Sequence, residues 1–212
     1  MKGNAPRRAW YVAFEGIDGA GKSTAVRRVA SRLRREGLRV LTRREPASAE
    51  LNRKAQAASV QDPWTGAVYF TLDRYLARAD LERDLRAASV VLTDRSYWST
   101  LAYQGSALAP ERQRKLAGLQ AHATVEPDQV ILIDLDPTEA MRRVGSRASA
   151  KSPLERRRTQ ERVARAYRRF ARRNGWLVVD ARNTAREVAD AAARSIRNKL
   201  AARSRTRPRR RR

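Results

Sequence analysis

Short apolar runs of strand length alternate with longer amphipathic stretches along most of the chain. Trp10 to Glu15 is a β-prone run, and Lys22 to Glu36 carries Ala25, Val26, Val29, Ala30 and Leu33 on one helical stripe, closed by Gly37. Leu38 to Thr42 reads as a second strand and Arg43 to Ala49 as a polar loop containing Pro46. Pro63 opens a long amphipathic helix through Val68, Phe70, Leu72, Leu76, Leu81 and Leu85. Ser89 to Thr93 is a third strand with Asp94 at its end. Gln129 to Leu135, between Pro127 and Pro137, is the clearest buried strand, and Trp176 to Val179 is a fifth. A last helix spans about Thr184 to Ala202. Five strands alternating with helices predict an α/β fold of three layers, a parallel sheet flanked by helices on both faces. Ligands of such sheets bind outside the carboxyl ends of the strands, so the loops after the first three strands should open onto one crevice.

The first of those loops carries the most specific chemistry. Gly16 to Ser23 fits G-x-x-x-x-G-K-[ST] without mismatch, between a strand and a helix as a phosphate-binding loop requires. Gly16, Gly19 and Gly21 give the backbone the freedom to aim successive N–H groups at an anion, with Asp18, Ala20 and Thr24 completing the cradle. Lys22 reaches the outer phosphates. Ser23, one residue into the helix, offers a hydroxyl to a phosphate-bound Mg2+. The motif predicts a P-loop nucleotide-binding fold and leaves the reaction open.

Composition narrows the class. The chain has 212 residues and no apolar run near the ~20 needed to span a bilayer, so a single soluble, cytoplasmic domain over 1–202 is expected, without a membrane partner. Zero cysteines exclude disulfides, thiolate metal sites and cysteine nucleophiles, which leaves electrostatic catalysis. The formal charge of +25 predicts attraction to polyanions. Seven of the ten residues from Arg203 to Arg212 are Arg, a block expected to be a disordered tail capable of non-specific polyanion binding. The remaining basic residues, spread over helices, fit an ordinary solvated face.

Asp94-Arg95-Ser96-Tyr97-Trp98-Ser99-Thr100-Leu101-Ala102-Tyr103-Gln104-Gly105 resembles the DR-x-x-x-S-x-x-AYQG segment of thymidylate kinases. Phe14 to Asp18, Thr42 to Pro46, Phe70 to Arg74, Glu126-Pro127-Asp128 and Arg162 to Tyr167 resemble further motifs of that family in order, and the likeness spans roughly Trp10 to Asp180. It implies transfer of the γ-phosphoryl group of ATP to the 5′-phosphate of thymidylate (dTMP), with Mg2+. Two polyanions must then meet, which calls for Lys, Arg, Mg2+ and backbone N–H groups rather than a covalent nucleophile.

By the same resemblance, Lys22 stabilises the migrating group, Ser23 and Asp94 hold Mg2+, and Arg95 bridges acceptor and migrating phosphates. Arg44 clamps the acceptor phosphate, with Arg43 as the alternative. Asp18 accepts from the 3′-hydroxyl, Phe70 stacks on thymine, and Arg74 donates to its carbonyl. Ser99 and Thr100 contact the base, and Tyr103 packs under the sugar. Read from the residues alone, Phe70 also fits a core stripe, Tyr103 a helix face, Arg74 a pair with Asp73 or with the acidic neighbours of Arg78, and His122 a surface helix.

The segment from Arg147 to Glu155 takes the place of the family's lid. Because position 19 is Gly rather than Arg, the lid is expected to supply the catalytic cation, with Arg143, Arg147 and Lys151 as candidates. A homodimer through helices is a further expectation. The sequence departs from the family pattern at Ala47-Ser48, at Ser96 and at Ser152-Pro153-Leu154-Glu155. Two rival readings are a deoxynucleoside kinase of the same fold, which would need a carboxylate base near the sugar, and a catalytically weak kinase-like protein that binds nucleic acid through its Arg tail.

Overall fold

A computed structural model describes residues 8–144 and 153–205. Its strands are β1 (Trp10–Glu15), β2 (Val40–Arg44), β3 (Val90–Asp94), β4 (Gln129–Asp134) and β5 (Leu177–Asp180). All pair in parallel, in the order β2-β3-β1-β4-β5. The helices are α1 (Lys22–Arg35), α2 (Ala49–Gln61), α3 (Pro63–Ala87), α4 (Tyr97–Tyr103), α5 (Pro110–Ala123), α6 (Pro137–Val144), α7 (Pro153–Asn174) and α8 (Ala185–Arg205), with a 3-10 turn at Gly105–Ala107. Every strand pair needs a crossover, and the crossover helices cover the sheet. Val12, Phe14, Val90, Leu92 and Ile131 belong to one core cluster with residues of α1, α7 and α8, whereas Tyr11 and Val91 pack with Leu81 and Leu85 of α3. Among the described residues no helix is long and apolar enough to cross a membrane.

The five strands match the hydrophobic pattern, with shifted edges. β2 begins at Val40 rather than Leu38 because the chain is still closing α1: Gly37 is left-handed at φ 82° and the Leu38 N–H reaches back to the Leu33 carbonyl at 3.1 Å. The shift carries Arg43 and Arg44 out of the expected loop and onto the strand. α2 has only Ala55 buried, too thin a stripe to read from hydrophobicity, and Ser48 caps it by accepting from the Leu51 N–H at 3.2 Å. Gly66 lets α3 approach α2 closely, since a Cβ there would lie 1.9 Å from Ser59 Oγ and 2.9 Å from the Ala55 carbonyl oxygen.

The stripe expected to bury α3 is only partly the buried one. Ala67, Leu81 and Leu85 face inward, while Val68, Leu72 and Leu76 are exposed. α8 continues to Arg205, so the first residues of the expected tail are helical; 206–212 lie outside the described residues.

Candidate active site

The P-loop joins β1 to α1, and its glycines do separate work. Gly16 has φ 145°, and a Cβ on it would sit 2.4 Å from the Ile133 carbonyl oxygen of β4, so no other residue fits beside that strand. Gly19 and Gly21 are also left-handed, and Gly21 delivers the chain into α1, whose first turn holds no acidic residue to compete for its N–H groups. Lys22 is buried and donates from Nζ to the Ile17 carbonyl at 2.9 Å. Burial, reinforced by the charge of Arg95 and opposed by Asp18, Asp94 and Glu15, brings its ammonium down to about 8.

The register of β1 with β3 sets Phe14 beside Asp94 and brings the end of β3 to the loop. There the Ser23 hydroxyl donates to Asp94 Oδ2. A hydroxyl and a carboxylate side by side are hard oxygen donors, the type Mg2+ takes.

The next residue, Arg95, has φ 77°, a conformation that costs a non-glycine residue roughly 1 kcal/mol or more. Three hydrogen bonds hold it: its N–H to the Phe14 carbonyl (3.0 Å), the Thr93 hydroxyl to its carbonyl (2.8 Å), and the Ser96 N–H to Glu15 Oε1 (2.7 Å). The turn aims the guanidinium across the P-loop, where it pairs with Asp18, donates to Ser99 Oγ at 2.9 Å and lies over the Tyr103 ring at 5.2 Å. The Tyr103 hydroxyl accepts from the Asp18 N–H at 3.1 Å. Desolvation would raise the Asp18 carboxyl, but Arg95, Lys22 and its hydrogen bonds outweigh it and hold the group below the usual carboxylate range.

Beneath Arg95 lies Glu15, fully buried, which the sequence pattern did not single out as a site residue. It accepts from the Ser96 N–H and hydroxyl, the Ser99 hydroxyl (2.7 Å each) and the Tyr167 hydroxyl (2.8 Å). Tyr167 also lies 2.9 Å from Ser99 Oγ, so α7, β1 and α4 converge on the atoms that orient Arg95. Burial and the neighbouring Glu15 push the Tyr167 phenol far up and keep it a donor. The available signal was a carboxylate ending an apolar strand, a position that needs several donors. Ser96, a departure from the family pattern, supplies two of them.

The other side of the crevice is built by the loop after β2. Arg43 is drawn away by an ion pair with Asp84, whereas Arg44 is exposed, has no ion pair among the described residues and stands opposite Asp94 in the register. Glu45 and Pro46 are joined by a cis peptide, and Asp73 secures the two residues after Pro46 by accepting from the Ala47 and Ser48 N–H groups at 2.8 and 2.7 Å. Arg74 is therefore not paired with Asp73. It donates from Nε to Glu45, from Nη1 to Thr100 Oγ1 (2.7 Å) and the Phe70 carbonyl (3.3 Å), and from Nη2 to the Ser96 carbonyl (3.0 Å). Burial pushes the Glu45 carboxyl up, against the pull of Arg74. Arg44, Glu45, Asp73, Arg74, Ser96 and Tyr97 share the lining of one cleft, and Phe70, half-buried, sits one turn before Arg74.

The structure thus gathers Lys22, Ser23, Asp94, Asp18, Arg95, Ser99 and Tyr103 at one end of the sheet, with Arg44, Arg74 and Thr100 beside them. Arg147 and Lys151 lie outside the described residues. Arg143 is bound to Glu139 on its own helix at 3.0 Å. His122 is exposed on α5.

The family model for thymidylate kinase matches residues 14–192. A probable thymidylate kinase of Methanopyrus kandleri is 47% identical over 128 residues, which is 60% of this chain and 61% of that relative. A probable thymidylate kinase of Pyrobaculum calidifontis is 35% identical over 84% of this chain and 91% of its own length, and a thymidylate kinase of Paracidovorax citrulli is 36% identical over 76% and 79%. With a P-loop at one end of a five-stranded parallel sheet and a match covering most of its length, the chain belongs to the thymidylate kinase family.

Proposed function

We propose that this protein transfers the γ-phosphoryl group of ATP to the 5′-phosphate of dTMP, giving dTDP and ADP. The observation that carries the reading is Arg95, held in a left-handed turn with its guanidinium between the P-loop carboxylate and Tyr103. An acceptor phosphate oxygen forms the new bond to the γ-phosphorus as the bond to the β,γ-bridging oxygen breaks, and ADP departs with the electron pair. The protein supplies position and charge. Lys22 leaves the Ile17 carbonyl for the β- and γ-phosphates, and Arg95 exchanges Asp18 for the oxygens of the two reacting phosphates. Asp18, once released, accepts from the 3′-hydroxyl.

Arg44 meets the acceptor phosphate, for which a guanidinium fork suits two oxygens. Phe70 and Arg74 receive the base, the latter with the one N–H its four hydrogen bonds leave over, and Ser99, Thr100 and Tyr103 shape the pocket. Ser23 and Asp94 would hold Mg2+, which when bound neutralises charge on the donor phosphates. Thymidine would instead need a carboxylate base, and Glu15 is saturated by its donors while Asp18, released from Arg95, is engaged by the 3′-hydroxyl. The reading places the enzyme in the cytoplasm with its nucleotide substrates.

A second copy of the chain is the expected partner. Val60 of α2 and Val68, Leu72, Tyr75 and Leu76 of α3 are exposed, the last four at helical spacing on one face. Sedimentation should give a dimer, and Leu72→Glu with Leu76→Glu a monomer. The activity is tested by ADP release with dTMP, thymidine, deoxyuridylate, uridylate and cytidylate as acceptors. Preference for dTMP is expected; turnover with thymidine alone would replace the reading with a nucleoside kinase.

A further inference from the structure

α1 and α8 pack side by side on one face of the sheet, and their outer surfaces enclose a groove of about 310 Å3 lined by Arg28, Ser31, Arg32, Arg35, Arg186 and Asp190. Four guanidiniums face one carboxylate. That carboxylate is already engaged, because Asp190 pairs with Arg32. Arg32 also touches Glu36, which in turn binds Arg197 at 2.7 Å, so the acidic groups at this seam serve to hold the two helices together. Arg28, Arg35 and Arg186 are exposed and have no carboxylate partner among the described residues; Arg35 reaches only the Ser31 hydroxyl, at 3.2 Å. Arg28, Ser31, Arg32 and Arg35 follow helical spacing along one wall, a row of roughly 10 Å at 1.5 Å per residue.

We infer that this groove binds the phosphodiester backbone of single-stranded nucleic acid, a function separate from phosphoryl transfer. Like charges in a concave site focus positive potential, and guanidiniums without a carboxylate partner keep donors for phosphate oxygens. Neighbouring packed helices lie 8–10 Å apart, so the furrow between them suits one strand rather than a duplex. Among the described residues no aromatic side chain lines the groove, so bases have no stacking platform there and recognition is by backbone charge without sequence preference. The site is built into the folded domain and does not require the Arg-rich C-terminal segment.

The test is fluorescence anisotropy of the full chain with a fluorescein-labelled 20-nucleotide DNA strand between 50 and 200 mM salt, with ADP and dTMP present to fill the active site. Arg28→Ala with Arg35→Ala and Arg186→Ala should weaken binding at least tenfold, and should make the slope of log affinity against log salt shallower by about 2, from roughly 0.7 per lost phosphate contact. Arg186→Glu alone, which places an acid in the first turn of a helix where it is well tolerated, should weaken binding at least threefold. dTMP turnover in both variants should match the parent and so report an intact fold. Deleting 206–212 should leave most of the affinity. Unchanged affinity and slope in the folded variants, loss of all binding on deleting 206–212, or a preference for duplex over single strand would each overturn the inference.

Discussion

Arg95 and Arg74 at the end of the sheet carry the same guanidinium as Arg28, Arg35 and Arg186 on the α1–α8 face, under opposite constraints. Arg74 spends its donors on four protein acceptors, and Arg95 is fixed by a left-handed turn, Asp18, Ser99 and the face of Tyr103. The outer three have no carboxylate partner among the described residues and stand in solvent. Partners that hold a charge at one point make it useful for a transition state, where an error of an ångström is costly, while charges free to move suit a polymer that has no single bound geometry. A formal charge of +25 therefore describes at least two kinds of arginine.

The largest effect that sharpens this contrast should come from Arg95→Ala, expected to lower kcat with dTMP by about 10^2 to 10^3, the usual scale for removing one preorganised donor. Arg95→Lys should recover little of it, because an ammonium cannot reproduce the fork that meets Asp18 and Ser99 together. Next, Tyr167→Phe removes one of Glu15's donors without touching nucleotide. It should reduce kcat by about tenfold with KM for ATP nearly unchanged, and lower stability by about 1–2 kcal/mol in urea unfolding. A purely structural role would change stability and leave kcat alone.

A smaller effect comes from the titration of Lys22, whose ammonium burial brings down to about 8. Phosphates replacing the Ile17 carbonyl favour the charged form, so binding takes up a proton above that pH. ATP affinity should be level below about pH 8 and fall above it, and Lys22→Ala should abolish the dependence in calorimetric titrations. The stability effect has the opposite sign: the folded value is depressed from 10.5, the unfolded chain holds more protons between the two values, and the nucleotide-free protein gains stability from this group as pH rises through that window. The smallest effect is assigned to Arg28→Ala, Arg35→Ala and Arg186→Ala together, which should leave kcat/KM for dTMP within about twofold and stability within ~0.5 kcal/mol per site, as exposed positions usually do.

The features legible in the sequence were local ones. The P-loop was legible because its glycines, lysine and serine occur within eight residues and each answers a nearby backbone demand. β4 was legible as an unbroken apolar run. α2 was not, because Ser48 starts it and packing through Ala55 and Gly66 stabilises it, neither of which produces a hydrophobic period. The pairings that orient the site were also hidden. Glu15 meets Tyr167 across 152 residues, and Arg74 chooses Glu45, 29 residues away, over the adjacent Asp73, which the loop after Pro46 has claimed. Such choices depend on which donors the fold brings into range, and spacing along the chain does not encode them.

The most direct test of the central claim is to trace the label from γ-32P-labelled ATP into product with the purified full chain, Mg2+ and dTMP, beside Lys22→Ala. The account predicts label in the β-phosphate of dTDP for the parent and at most about a hundredth of that rate for Lys22→Ala. Label appearing only as inorganic phosphate, only in dTMP when thymidine is supplied, or equally with Lys22→Ala would contradict it.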